Sequence, residues 1–374
     1  MSKIYNSLGF MSGTSMDGVD ASIIQSDGEN KYKVIFDKYF EYPETIYKSL
    51  TKIRDKIVNK QDLTRFKDNL NLLEKKITLF HAKIIKDILK STEIDINFVG
   101  FHGQTIFHNA KKRISRQLGD GKLLSKLTKK TVIYNFRFND IKNGGQGAPL
   151  TPIFHKMLAK KFKINLAVFL NLGGIANQTN INNDFTFNAS DIGPGMCLID
   201  QWMRLNSKNK YDRNGAIAKS GKINKVILNK ILSKKKLNVI KLGKKKFFKF
   251  KKPISYDVKN FNINFVKNLS LKDGAATITE YTAHRLIPSL IIFNSFKRKI
   301  ILCGGGRKNK FLISRIKKND VSIKFIDDYG INGDFVESQA FAYLAIRSYL
   351  KLPITFPSTT GVKNPCTGGV IINY

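Results

Sequence analysis

One order of events, occurring twice, constrains this chain more than any other feature. Near the amino terminus, "SLGFMSGTSMDGVDASII" (Ser7–Ile24) breaks an apolar run with glycines, hydroxyls and a carboxylate, then resumes it at once. At mid-chain, "NLAVFLNLGGIANQTNIN" does the same. Short apolar runs bounded by glycine read as buried strands. Each pair is followed by a third β segment, "YKVIFDKYFEYP" in the first copy and "DFTFNAS" in the second. Helices and further strands follow. The first copy has a long helix with Leu70, Leu73, Ile77, Phe80, Ile84 and Ile88 on one stripe, then "INFVGFHG", a short helix near "KLLSKLTKK" and "TVIYNF". The second has "RKIILCGGGRKN", read as strand, turn and helix start, then "VSIKFID" and the helix "DFVESQAFAYLAIRSYLKL". A duplicated α/β fold with a cleft between the copies is predicted. The expected lobes are 1–135, joined by 350–374, and 136–349, with "KNGGQGAPLTP" as the crossing.

Composition matters here for what it excludes. A chain of 374 residues with 42% hydrophobic and 11% aromatic content can bury two cores. No apolar run reaches the roughly 18 residues of a membrane helix, and "MSKIYNSLGFMSG" lacks the pattern of a signal peptide. Three cysteines without metal spacing suit a reducing compartment, so a cytoplasmic location is expected. The net charge of +37 invites a nucleic-acid reading. The lysines are spread along the whole chain with Asn, Ile and Phe, as A/T-rich codons would give. Aromatics interleave with lysines only in the run Lys234–Pro253. No specific nucleic acid and no membrane is expected as partner.

Glycine and small hydroxyl residues let backbone N–H groups approach phosphate oxygens. Gly13, Thr14, Ser15 and Gly18 fit that role, and Asp17 could hold Mg²⁺ directly or through water. An ordinary hairpin turn would use the same residues, and taken alone the first loop leaves both readings open. "NLGGIANQT" (Asn171–Thr179) occupies the matching point of the second copy, and "CGGG" (Cys303–Gly306) joins a strand to a helix, where amides can meet a nucleotide. Three such loops at matched places favour a nucleotide held between two lobes. In "NASDIGPGMCLIDQW", Asp191 follows a strand, and Gly193–Gly195 separate it from the next helix. A carboxylate so placed can serve as a general base; the alternative is an inert helix cap.

These residues form a known pattern. "MSGTSMDGVD", "FHGQTIFH", "QLGDG", "GGQGAPLTPIFH", "NLGGIAN", "SDIGPGMCLID", "DGAATITEYTA", "LCGGG" and "GDFVESQAFAYLA" occur in the order found in the anhydro-N-acetylmuramic acid kinase family. The resemblance runs from about Leu8 to Ile371. It implies duplicated ribonuclease H-like, actin-like ATPase domains of the sugar kinase/Hsp70/actin superfamily, with a central nucleotide and sugar cleft. The implied reaction opens the 1,6-anhydro bridge of anhydro-N-acetylmuramate with water and transfers the γ-phosphoryl of ATP to O6, in cell-wall recycling. The residue matching Asp191 is then the base that activates water. Gly13, Thr14, Ser15, Met16, Asp17, Gly18, Val19 and Asp20 match the ATP phosphate segment, with Asp17 the partner of Mg²⁺. Gly173 and Gly174 match the second phosphate loop, and Gly304, Gly305 and Gly306 the adenosine side. His102, Gly103 and Gln104 match a motif lining the sugar cleft. Arg137 and Glu337 match positions that hold the sugar, partly across the interface of a homodimer.

Alone, Arg137 would read as a surface cation, Glu337 as a solvated helix residue and His102 as a satisfied core imidazole. Two positions depart from the family pattern. Met196 stands where Asn usually follows "GPG", and Asn135 stands where Asp is usual before "FR", with Asp140 or Asp120 as candidates to replace that carboxylate. The competing readings are a kinase or phosphatase for another sugar, polyol or polyphosphate, a nucleic-acid binder using Lys234–Lys252, and an actin-like structural ATPase.

Overall fold

The computed structural model describes residues 3–234, 254–319 and 321–374. The lysine-rich stretch singled out above lies, from Lys235 to Pro253, outside the described residues. Contacts divide the chain into one unit of residues 1–163 with 334–374 and a second of residues 164–333. The lobes expected from sequence assign 136–163 and 334–349 to the other side of this division. Long-range packing makes the difference: the helix of 336–349 lies on the first sheet, a contact invisible in local pattern.

In the first unit, β1 (Tyr5–Ser12), β2 (Gly18–Ser26) and β3 (Tyr32–Glu41) form an antiparallel meander. Helices α1 (Glu44–Lys56), α2 (Lys60–Arg65) and α3 (Lys67–Thr92) follow. Strand β4 (Phe98–Asn109) pairs parallel with β1 and turns back through β5 (Ile114–Leu118). Helix α4 (Gly121–Thr128) leads to β6 (Thr131–Tyr134), parallel to β4, and α5 (Phe138–Lys142) and α6 (Pro152–Lys161) complete the first segment. The sheet order is therefore β3-β2-β1-β4-β6, with β12 (Val370–Ile372) antiparallel on the β6 edge.

The second unit repeats this order. Strands β7 (Ala167–Leu172), β8 (Ile175–Ile181) and β9 (Phe187–Pro194) form the meander. Helices α7 (Cys197–Asn206), α8 (Ala216–Lys219), α9 (Lys225–Lys234) and α10 (Leu271–Ser295) come next. Strand β10 (Lys299–Cys303) pairs parallel with β7, and after α11 (Lys310–Lys317), β11 (Ile323–Phe325) pairs parallel with β10. The order β9-β8-β7-β10-β11 matches the first unit strand for strand. This is the duplicated ribonuclease H-like fold expected from sequence.

The central strands read as continuous apolar runs because both faces are covered; every residue of β7 is buried. In the first unit α3 buries Leu70, Leu73, Ile77, Ile84 and Ile88 against a core with Leu8, Phe10 and Val99. The first unit also contains α12 (Val336–Tyr349), which packs on β1, β2 and β4. A methyl group on Gly9 would come within 2.1 Å of the Ser338 carbonyl oxygen, and one on Gly100 within 2.4 Å of that of Phe341. Two glycines thus let a helix backbone rest directly on strand backbone. A short α13 (Pro357–Thr360) precedes β12. In the second unit two clusters form, one beneath β7 and β10 around Ala283, Leu286 and Leu290, and one around Trp202, Ile278 and Tyr281.

Candidate active site

In the second unit three of the quoted motifs converge at one end of the sheet. The turn between β7 and β8 contains Gly173 and Gly174. Gly195 and Cys197 donate their backbone N–H groups to Gly174 O at 3.0 and 3.1 Å, and Met196 donates to Gly173 O at 2.9 Å. The "GPG" segment is therefore hydrogen-bonded to the second glycine loop. The third loop joins them. Gly304 has φ +80°, and a methyl group there would lie 2.2 Å from Asn171 Oδ1; only glycine fits this turn. Gly306 is closed in by Leu172 O and Met196 Cγ, whereas Gly305 has nothing within 4 Å of where its Cβ would stand. Met196, the departure from the family pattern, packs its thioether against the third loop.

Asp191 lies inside β9 rather than after it. The β8–β9 ladder shifts between Ala176 and Asn177: Ala176 opposes Gly193 and Asn177 opposes Asp191, so Ile192 is an extra residue. Such a bulge re-aims the neighbouring side chain. The Asp191 carboxylate accepts the Tyr256 N–H through Oδ2 at 2.7 Å, and its own N–H donates to Ile254 O at 2.8 Å. The helix-cap alternative fails, since α7 is capped at Met196 without any side-chain bond. Asp191 is an oriented, mostly buried carboxylate, 8% exposed. Tyr256 was not singled out in the sequence, because nothing local links it to Asp191.

In the first unit the candidate phosphate segment divides in two. Residues 13–17 form the turn between β1 and β2; Gly18, Val19 and Asp20 are strand residues of β2, with Val19 fully buried. Met16 is not a bare turn residue. Its φ is +59°, its side chain is buried in the core with Phe10 and Val19, and its N–H is bonded to Gly13 O at 3.3 Å. Gln104 Nε2 also donates to Gly13 O, at 3.0 Å, and Arg54 Nη1 donates to Thr14 O at 3.2 Å. In a trans peptide the C=O and the next N–H point in opposite directions. Binding these carbonyls turns the N–H groups of Thr14 and Ser15 the other way. Ser15 Oγ donates to Asp17 Oδ1, and Tyr42 N–H to Asp17 O at 2.9 Å. Gln104, expected along the sugar cleft, thus braces the turn, as does Arg54, which the sequence did not suggest.

Around this turn gathers an acidic group. Burial, then the carboxylates of Glu337, Asp17, Asp334 and Asp37, push Asp20 up to about 8. Burial also raises Glu337 above the usual carboxylate range, with Arg137 opposing the shift. Arg137 donates through Nη1 to Gly147 O at 2.6 Å and contacts His102 Nε2 through Nη2 at 3.0 Å. The structure thus brings Asp17, Asp20, Glu337, Arg137 and His102 together within one unit. Gly103, with φ +71°, packs against Leu118 O and shapes the chain between His102 and Gln104. Neither candidate replaces the carboxylate missing at Asn135. Asp140 accepts Gly147 N–H at 2.7 Å and the Thr360 hydroxyl at 2.5 Å, and Asp120 caps α4 through Leu123 N–H.

A family model described as anhydro-N-acetylmuramic acid kinase matches residues 5–374. The chain belongs to this family. The kinase of that name from Pelagibacter ubique (strain HTCC1062) is 52% identical over 385 residues, covering 100% of both chains. That of Zymomonas mobilis subsp. mobilis (strain ATCC 31821 / ZM4 / CP4) is 37% identical, covering 97% of this chain and 98% of its own. Membership makes the chain a kinase of this family, a phosphotransferase, over residues 5–374. Among the described residues no helix is long and apolar enough to cross a membrane, and no three His, Cys, Asp or Glu side chains gather to hold a metal by themselves. The carboxylates of the first unit nevertheless fit Mg²⁺. They are hard oxygen donors, and burial first, then the neighbouring carboxylates, raise Asp20, a load a divalent cation would relieve. The fit is to an ion that shares its ligands with phosphate oxygens and water.

Proposed function

We propose that the chain converts 1,6-anhydro-N-acetylmuramate, water and ATP into N-acetylmuramate 6-phosphate and ADP, in cell-wall recycling, with Asp191 as the base. The bridging ether carries no proton, so the base must act on water. Asp191 takes one proton from water, the hydroxide forms a bond to the anomeric carbon, and the bond from that carbon to O6 breaks. O6 then attacks the γ-phosphorus and ADP leaves. The observation that supports this reading is the bulge at Ile192, which pairs Asp191 opposite Asn177 just past the second glycine loop, with its carboxylate anchored by Tyr256 N–H.

The N–H groups of Thr14 and Ser15 would hold phosphate oxygens, and the loops with Gly173, Gly174 and Gly304–Gly306 would also meet the nucleotide. Asp17, with Asp20 beside it, would hold Mg²⁺, which when bound neutralises phosphate charge. Arg137 and Glu337 would hold the sugar. A cytoplasmic homodimer is part of the same reading, and sedimentation of the purified protein tests it.

Mass analysis of products formed in ¹⁸O-labelled water tests the chemistry. One labelled oxygen on the anomeric carbon and none in the phosphoryl group is expected. Label in phosphate, or a phosphorylated sugar with its bridge intact, overturns it. Asp191→Asn should lower kcat by about 10²–10⁴-fold, the usual share of a general base, with ATP binding unchanged. Phosphorylation of an ordinary hexose but never of the anhydro sugar would favour the other sugar-kinase reading.

A further inference from the structure

We infer that His102 serves the sugar site as a positioning residue acting through Arg137, and does not itself contact the sugar. The inference rests on the proposed role of Arg137. His102 is 3% exposed, so little of the imidazole is available to a ligand. Its two nitrogens are both engaged: Nδ1 lies 2.9 Å from Gly103 O and Nε2 lies 3.0 Å from Arg137 Nη2.

The partners dictate the proton's place. A guanidinium can only donate, so Nε2 must accept; a carbonyl oxygen can only accept, so Nδ1 must carry the hydrogen. One neutral tautomer satisfies both bonds, and an imidazolium would set an N–H against a guanidinium N–H. Burial and the Arg137 charge hold the imidazole well below its usual range, in keeping with that tautomer. The ring is fixed from the side as well, with Phe341 of α12 at 4.5 Å between centroids.

Arg137 is thereby gripped at both terminal nitrogens, by His102 at Nη2 and by Gly147 O at Nη1. It lies just after β6, two residues beyond Asn135, whose φ is +55°. A guanidinium at the start of a short helix has many rotamers, and two fixed acceptors choose one of them. The imidazole thus sets the direction in which Arg137 presents its charge. The anhydro sugar carries a lactyl carboxylate, so an aimed guanidinium suits an anionic group of that substrate class.

Two substitutions separate the ring from its acceptor nitrogen. His102→Phe keeps a flat ring beside Phe341, somewhat larger than imidazole, but removes the acceptor; His102→Gln loses the ring and offers an oxygen near the former Nε2. Kinetics of the full-length protein with anhydro-N-acetylmuramate and ATP, together with thermal melting, form the test. His102→Phe should raise KM for the sugar about tenfold or more, as loss of a bond to a charged group does, with KM for ATP unchanged. His102→Gln should restore most of that loss. Combined with Arg137→Met, His102→Phe should add nothing further. Wild-type sugar KM in His102→Phe with Arg137→Met impaired overturns the inference alone, as does full additivity in the double variant. If His102→Phe fails to fold, a His102→Gln protein with sugar KM as poor as Arg137→Met overturns it too. Unimpaired sugar use in Arg137→Met instead overturns the proposed sugar site itself.

Discussion

The first hairpin turn of each unit occupies the same place in the same sheet order, yet among the described residues only the first draws side-chain donors onto its carbonyls. In the second unit the turn at Gly173–Gly174 is tied by backbone to backbone, through the N–H groups of Gly195, Met196 and Cys197. In the first unit the turn at 13–17 adds side-chain ties to the backbone bond from Tyr42 N–H to Asp17 O: Gln104 on Gly13 O, Arg54 on Thr14 O, and Met16 set into the core. Carboxylates crowd the first turn, while the second has glycine loops on its flanks. Duplication therefore preserves the path of the chain and leaves the chemistry of each turn free to diverge. A backbone-tied turn depends on glycine at close approaches, and a side-chain-tied turn depends on particular donors.

The largest effect should come from closing the backbone approach that ties the second turn. A methyl group on Gly195 would stand 2.1 Å from Gly173 O, so Gly195→Ala should cost about 3 kcal/mol of stability, read from denaturant unfolding, or prevent folding. A variant as stable as the parent would show that the turn is not backbone-tied.

Next comes the acidic turn, tested by pH. Asp20 keeps its proton in the folded protein up to about 8, whereas the unfolded chain releases it near 3.8. Between those values the folded state binds more protons, so stability falls as pH rises through the window. Asp20→Asn should remove this slope and gain about 2 kcal/mol at pH 8, discounted for partial exposure, with little change at pH 4. An unchanged difference in Tm between pH 5 and pH 8 would remove the electrostatic contrast between the two turns.

Arg307 offers an intermediate case. It donates from Nε and Nη2 to the Asp327 carboxylate at 2.7 and 2.8 Å, and from Nη1 to Gly304 O at 3.2 Å. Arg307→Met should cost about 1.5 kcal/mol, since Asp327 is partly solvated, and raise KM for ATP while leaving KM for the sugar alone. The smallest effect is expected from Gln104→Leu, within about 1 kcal/mol in stability because a buried Oε1 without a partner among the described residues leaves with the donor. Its loosened first turn should nonetheless raise KM for ATP. Equal changes in both KM values would break the assignment of Gln104 to that turn.

The repeat of strand and glycine turn was legible because buried strands are apolar runs and turns need small residues, both local properties. Strands β1, β2, β4, β7 and β10 all fall where those runs predict. What escaped depended on distant partners. The β5 hairpin lacks an apolar run because none of Ile114–Gln117 is fully buried. Met16 looked like a turn residue, since no local pattern signals a left-handed residue whose side chain enters the core. The carboxylate of Asp212 accepts the N–H groups of Ile217 and Ala218, a pairing across five and six residues that no local motif signals. Asp191 was legible as a candidate from its spacing, but the extra residue at Ile192 is a property of pairing with β8 and appears only in the folded sheet.

The seating of α12 on Gly9 and Gly100 has a mechanical consequence for Glu337. At these two points helix backbone meets strand backbone with no side chain between, and the bonds of Ser338 to Ser22 and of Gln339 to Tyr32 and Asp37 tie the same helix to β2 and β3, so it has little room to slide or tilt. Glu337, in the first turn of that helix, is referenced to the sheet as a tooth is to its gear. Any response of its carboxylate to an incoming molecule must come from rotation about its own side-chain bonds or from travel of the whole unit as one piece.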